Sequence, residues 1–275
     1  MIVGHEKQIQ LLKSLFNSKK LSHTFLFCGN EKLGKKKVAI EFASFILNAS
    51  PFSHPDFFYL EPQNNKIKIE EIRNLIGFIS LTSSVAKFKV AIIDRADRMT
   101  LDAQHCLLKT LEEPKGKAVI ILIAESEHFL LETIISRCQK IKFFPVPKEK
   151  IEIFLKEREK DEKKVKRVLR FVNGKPGLAI ELLEHPQKLE QFEKLEEFLL
   201  KIKNTSIYLK FQKTKELLDN LDIFEILEVV ALFFRERIFY KESREILDFI
   251  QKVYFFAKTS HLDKRLALET IFLKI

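Results

Sequence analysis

Gly29-Asn30-Glu31-Lys32-Leu33-Gly34-Lys35-Lys36 follows the apolar run Thr24-Phe25-Leu26-Phe27-Cys28 and opens a helical pattern. These residues fit the GxxxxGK frame of a phosphate-binding loop. In that frame the glycines let backbone N–H groups curl around a phosphate. The following helix adds positive potential at its N-terminus, and the lysine reaches the terminal phosphates. Gly29, Gly34 and Lys35 are therefore candidate nucleotide contacts. A glycine-rich turn at a strand–helix junction has the same pattern without the chemistry. One position departs from the frame. Where a Ser or Thr hydroxyl would ligate Mg²⁺ there is Lys36, which offers a metal no acceptor and adds charge beside Lys35, as does Lys37. The expectation is a degenerate site in which nucleotide binding is weak or absent and metal-assisted hydrolysis is crippled.

Outward from this loop, β-branched and aromatic runs alternate with helical patterns as far as residue 147. Strands are predicted over 24–28, 57–60, 89–94, 119–124 and 140–144, and helices over 35–47, 69–79 and 101–111. That alternation argues for a parallel sheet with helices on both faces. Val90-Ala91-Ile92-Ile93 and Val119-Ile120-Ile121-Leu122-Ile123 are apolar throughout, as strands buried on both faces are. Pro145-Val146-Pro147 is a stiff extended link. A three-helix unit is predicted over 148–183, with a charged turn at 156–164. Gly174-Lys175-Pro176-Gly177 separates its last two helices, and His185-Pro186 closes it. About five amphipathic helices follow. Phe224, Leu227, Ala231 and Phe234 form one apolar stripe at helical spacing, and Leu247, Ile250, Val253 and Tyr254 another.

The 275 residues carry 48 Lys and Arg against 38 Asp and Glu, a net charge of +10. Such a surplus suits nucleic acid or an acidic partner. Heavy use of Lys and Ile, with 26 Phe, no Trp and two Met, reads equally as codon bias. The longest apolar run, 118–124, falls far short of the roughly 20 residues a membrane span needs. The first residues lack an apolar signal core. A soluble, cytoplasmic protein with no membrane partner is expected. Cys28, Cys106 and Cys138 are odd in number and lack CxxC spacing, which argues against zinc and against a disulfide framework.

Asp94, at the end of a predicted strand, stands where an acid can hold Mg²⁺ through water in phosphate-loop enzymes. Arg95 follows it, where a water-polarising glutamate is common, and an arginine cannot act as a base. Asp94 is also open to pairing with Arg95 or to capping the next turn. Next come Ala103-Gln104-His105-Cys106-Leu107-Leu108-Lys109-Thr110-Leu111-Glu112-Glu113-Pro114 and then Ser136-Arg137-Cys138. With the loop, and with His54-Pro55-Asp56, these strings resemble the AAA+ subunits of clamp loaders. The likeness is specific over residues 1–183 and architectural beyond.

That resemblance implies an α/β fold with three parts: an AAA+ domain with a parallel sheet over 1–147, a helical lid over 148–186, and an all-α collar over 187–275. Motor subunits carry an intact loop, an Asp-Glu pair and a GxxR arginine. Here Lys36, Arg95 and Gly177 replace all three, a combination similar to the non-hydrolysing delta-prime family. The resemblance implies that Arg137 acts in trans as an arginine finger on a neighbour's ATP. It also implies motor (gamma/tau) and delta subunits as partners, with the sliding clamp and primer–template DNA met through the complex. No cofactor is required. The family's four-cysteine zinc module is missing from 48–53, so zinc is not carried over. Cys138 reads as a packing residue, and Lys109 as a solvated lysine or a DNA contact. The rival readings are an active motor or helicase-loading ATPase and a plain basic DNA-binding module.

Overall fold

The computed structural model describes residues 2–18, 21–113, 116–237, 241–259 and 262–275. The backbone divides into two compact units. One comprises residues 1–154 with 174–177, and the other comprises 155–173 with 178–275.

In the first unit the elements are α1 (Glu6–Asn17), β1 (Thr24–Cys28), α2 (Lys35–Leu47), β2 (Phe57–Leu60), α3 (Ile69–Ser80), β3 (Lys89–Ile93), α4 (Leu101–Glu112), β4 (Ala118–Ala124), α5 (Glu132–Ile135) and β5 (Gln139–Lys142). The five strands are all parallel, in the order β2-β3-β4-β1-β5. Alternation along each strand divides the core in two. Phe25, Phe27, Val90, Ile92, Val119 and Ile121 pack with Leu12 of α1 and Val38, Ala39 and Phe42 of α2. Leu26, Cys28, Ala91, Ile93, Ile120 and Leu122 pack with Ile72 and Leu75 of α3 and with Ala103, Leu107 and Leu111 of α4. Fully apolar strands thus serve a sheet covered on both faces.

Element ends differ from the sequence pattern in a few places. Asp94 lies just past β3, because its N–H still donates to the Leu60 carbonyl at 2.8 Å while its side chain turns to cap the next residue. The stretch 130–135 is helical only over Glu132–Ile135, after a 3₁₀ turn at Glu127–Phe129. Pro114, predicted to stop α4, lies outside the described residues.

Asp56 of the His-Pro-Asp string is a fully buried carboxylate. It accepts N–H bonds from Ser84 at 2.7 Å and from Val85 and Ala86 at 2.8 Å, and Lys89 Nζ lies 3.6 Å away. Lys89 in turn sits 3.9 Å from the Phe78 ring centroid. Burial alone would raise the Asp56 pKa. The N–H donors of Ala86, Ser84 and Val85, with the Lys89 charge, overcome it and hold the carboxyl at about 2.

Further helices follow: α6 (Lys148–Lys156), α7 (Glu162–Leu169), α8 (Pro176–Glu184), α9 (Pro186–Lys201), α10 (Ile207–Asn220), α11 (Ile223–Arg235), α12 (Lys241–Thr259) and α13 (Lys264–Lys274). The breaks expected at 174–177 and 185–186 fall between α7 and α8 and between α8 and α9, and in each the proline is the first residue of the following helix. Proline is tolerated there because the first helical N–H has no partner to lose. In the second unit α11 supplies a broad apolar face of Ile223, Ile226, Leu227, Val230, Phe233 and Phe234. Ile250 and Val253 of α12 are buried, whereas Leu247 and Tyr254 of the expected stripe are half-buried. Lys210 of α10 is buried and donates to the Phe272 carbonyl at 2.8 Å, tying α10 to the end of α13.

Replacing Asp56 by Ala should cost ~3 kcal/mol at neutral pH, because it removes the acceptor of three loop N–H groups and the partner of a buried ammonium. Urea titration of both forms checks this. The difference should hold above pH ~4, where the unfolded carboxylate is also ionised. It should shrink as pH falls through about 2, where the native carboxylate protonates.

Candidate functional site

Loops at the carboxyl ends of the strands form the candidate site, where an open parallel sheet receives ligands. The chain leaves β1 at Gly29, whose φ is 149°. A Cβ there would lie 2.5 Å from the Phe143 carbonyl oxygen, so only glycine lets the loop pass β5. Gly34 (φ 102°) turns the chain into α2. Lys35 is buried and folds onto its own loop. Its Nζ donates to the Gly29 carbonyl and, at 2.7 Å, to that of Asn30. Burial lowers its pKa against the opposing pull of Glu125, Glu31, Asp97 and Asp94. From α1's entry, the buried His5 places Nε2 2.8 Å from the Leu33 carbonyl oxygen, so this nitrogen carries the proton and donates. Burial is also the main cause lowering the His5 pKa.

Lys36 is half exposed, but its charge beside Lys35 is paired. Its Nζ lies 3.4 Å from Asp94 Oδ2, 3.4 Å from Glu61 Oε2 and 4.6 Å from the Tyr59 ring centroid. The Tyr59 hydroxyl donates to Asp94 Oδ2 at 2.7 Å, and Asp94 Oδ1 accepts the Arg95 N–H at 3.0 Å. Burial, then the bond to Asp94, pushes the Tyr59 phenol above its ordinary range. Asp94 therefore caps the turn, and its ion pair is with Lys36. The Arg95 guanidinium lies 3.9 Å from Glu31. The parallel register Leu60↔Ile93 delivers Glu61 and Asp94 side by side at the sheet edge, an adjacency with no signal in the linear sequence.

Gly177, at the start of α8, donates its N–H to the Lys32 carbonyl at 2.8 Å. One of the partnerless N–H groups of a helix start is thereby satisfied by the phosphate-loop segment. A Cβ at 177 would stand 2.8 Å from that oxygen and 3.1 Å from Lys32 Cα.

Arg137 follows α5 at the opposite end of the motif set. Its NH1 donates to the Thr133 carbonyl at 2.8 Å and to Ser136 Oγ at 3.4 Å, and its NH2 lies 2.6 Å from Glu112 Oε1. The side chain stays 34% exposed, so the guanidinium is paired without being sealed off. Gln104, which sequence reading passed over, fixes the segment leading to α5. Its amide donates to the carbonyls of Met99 at 3.3 Å and Phe129 at 3.1 Å, and its carbonyl accepts the Leu131 N–H at 2.8 Å. Lys109 and His105 are exposed on α4. Cys138 packs half-buried against the core, and burial pushes its thiol up to about 12, so it stays protonated. Cys28, Cys106 and Cys138 are free. Among the described residues no group of three or more His, Cys, Asp and Glu side chains is placed to hold a metal ion, and no helix is long and apolar enough to cross a membrane.

A profile of the family described as DNA polymerase III, delta subunit, matches residues 4–147. The DNA polymerase III subunit delta' of Bacillus subtilis is 36% identical over 167 residues, which cover 54% of this chain and 51% of the relative. The subunit delta' of Pseudomonas aeruginosa is 33% identical over 136 residues, 42% of each chain. The chain thus spans about half the length of the curated relatives it matches. Among solved structures, a DNA polymerase III gamma subunit-related protein of Thermotoga maritima superposes with a TM-score of 0.58 at 21% identity, over 95% of this chain and 97% of that one. A RuvB variant from the same organism gives a TM-score of 0.53 at 15% identity, over 72% of this chain and 64% of that one. At such identities the likeness is one of fold, and the fold is the AAA+ α/β sheet followed by helices.

Gly177→Ala should destabilise the first unit by about 1–3 kcal/mol, because the new methyl meets backbone rather than a yielding side chain. Denaturant titration measures this. Gly177→Arg should be at least as costly.

Proposed function

Because the chain belongs to the DNA polymerase III delta' subunit family, we propose that it serves as the non-hydrolysing stator of a clamp loader. In this reading it joins motor (gamma/tau) and delta subunits, and the complex sets a sliding clamp on primer–template DNA. Residues 148–186 act as the lid. Residues 187–275 act as the collar that holds the ring together.

The observation that carries the stator reading is the Lys36 ammonium between Asp94 and Glu61. A phosphate-loop enzyme keeps Mg²⁺ between the residue after its lysine and an acid at the end of the neighbouring strand. Here a fixed organic cation stands between those positions. Asp94 is further engaged by Tyr59 and by the Arg95 N–H. The residues present do not fit the metal. Lys35 is committed to its own loop's carbonyls, and Gly177 leaves no room for an arginine over Lys32. ATP binding is accordingly weak or absent, and neither zinc nor another cofactor is needed.

Arg137 supplies the one catalytic contribution, and it does so to a neighbouring subunit. A guanidinium brought to a γ-phosphoryl group neutralises charge that grows on its oxygens in the transition state. The support is its position after α5 and its partial exposure, with a fork that can exchange partners.

The purified chain should hydrolyse no ATP above background with Mg²⁺. Turnover near ~1 s⁻¹, the low end for ordinary enzymes, would overturn the stator reading. Lys36→Thr should also stay inactive, since Arg95 and Gly177 remain. In a complex rebuilt with motor and delta subunits, Arg137→Ala should leave assembly intact. Hydrolysis at the adjacent motor site should fall by about 10³-fold or more, read by single-turnover kinetics. Arg137→Lys should fail likewise, because an ammonium lacks the planar fork.

A further inference from the structure

Glu112 closes α4 inside the string Ala103–Pro114, and nothing in the proposed function uses it. Its side chain is 48% exposed, so the core does not require it. Its contact is specific all the same. Oε1 lies 2.6 Å from Arg137 NH2. The other end of the same guanidinium, NH1, is spent on the Thr133 carbonyl and on Ser136 Oγ. A guanidinium has five N–H donors in one plane. Three are engaged here, by groups on two different elements, and the remainder stay on a side chain that is 34% exposed.

Those two anchors differ in kind. Thr133 and Ser136 sit within four residues of Arg137, on or beside a helix of only four residues. They set the side chain only relative to its own segment, which Ile134 anchors in the core. Glu112 belongs to α4, a twelve-residue helix whose Ala103, Leu107 and Leu111 are buried in the core. The buried Gln104 on that same helix grips Phe129 and Leu131, just before α5. One rigid element therefore holds the arginine's backbone approach through Gln104 and its side-chain tip through Glu112.

We propose that Glu112 is a positioning residue for Arg137: it keeps the guanidinium oriented with unused donors free for the neighbour's phosphate. This inference rests on the arginine-finger reading above. An exposed pair of this sort is weak enough to be shared or exchanged when an anion of higher charge arrives, and strong enough to select one orientation of a long side chain. Catalysis by a charged group depends on that orientation more than on the charge being somewhere near.

The test is single-turnover ATP hydrolysis by the rebuilt complex carrying wild type, Glu112→Ala, Glu112→Gln, Arg137→Ala or the double variant Glu112→Ala/Arg137→Ala. Glu112→Ala should lower the hydrolysis rate on the order of 10-fold with nucleotide affinity unchanged. Glu112→Gln keeps an acceptor oxygen and should recover most of the rate. The double variant should be no slower than Arg137→Ala, because Glu112 acts only through the arginine. Multiplicative losses in the double variant, an unchanged rate in Glu112→Ala, or a faster one would each overturn the proposal. An unchanged rate in Arg137→Ala would instead remove the finger reading itself, so the two failures are distinguishable.

Discussion

β1 is hydrogen-bonded on both edges, to β4 and to β5, and buried on both faces. A slip by one residue would exchange Phe25 and Phe27 with Leu26 and Cys28 and mismatch the side-chain volumes in both cores at once. The register is therefore fixed, and with it the point where the chain turns at Gly29 past Phe143. The phosphate-loop segment, α2 and the strand ends that face it all inherit their positions from that strand.

On this scaffold the groups around the phosphate-loop segment find partners within the chain. Lys35 bonds to carbonyls of its own loop, Lys36 bridges Asp94 and Glu61, Arg95 meets Glu31, and Gly177 takes up the Lys32 carbonyl. Each contact at the surface is worth little alone, since exposed ion pairs contribute about 0–1 kcal/mol. Together they satisfy groups that would otherwise be available to a nucleotide and its metal.

Helix α4 couples the two ends of this unit. Its apolar face is set in the sheet core, its Gln104 ties down the segment before α5, and its last residue meets Arg137. On the other side of the sheet edge, Asp56 gathers three backbone N–H groups of the loop before β3. Both are cases of one buried polar side chain organising a loop through backbone groups.

The parallel α/β class was legible because strands buried on both faces must be apolar throughout, as 90–93 and 119–123 are, and because a glycine-framed loop between strand and helix has few alternatives. Lys36, Arg95 and Gly177 were legible as departures, since residue type alone shows which donor or acceptor is missing. Their actual partners were not. Tyr59 and Glu61 reach Asp94 only because β2 pairs with β3 in one register, and Glu112 reaches Arg137 only because α4 and α5 pack side by side. The breaks at Pro176 and Pro186 were legible because proline is tolerated in the first turn of a helix and not in its interior. Sequence by itself determined the fold class and which residue type stands at each motif position. The tertiary structure alone decided which charges meet, because charge pairing is set by distances between elements far apart along the chain.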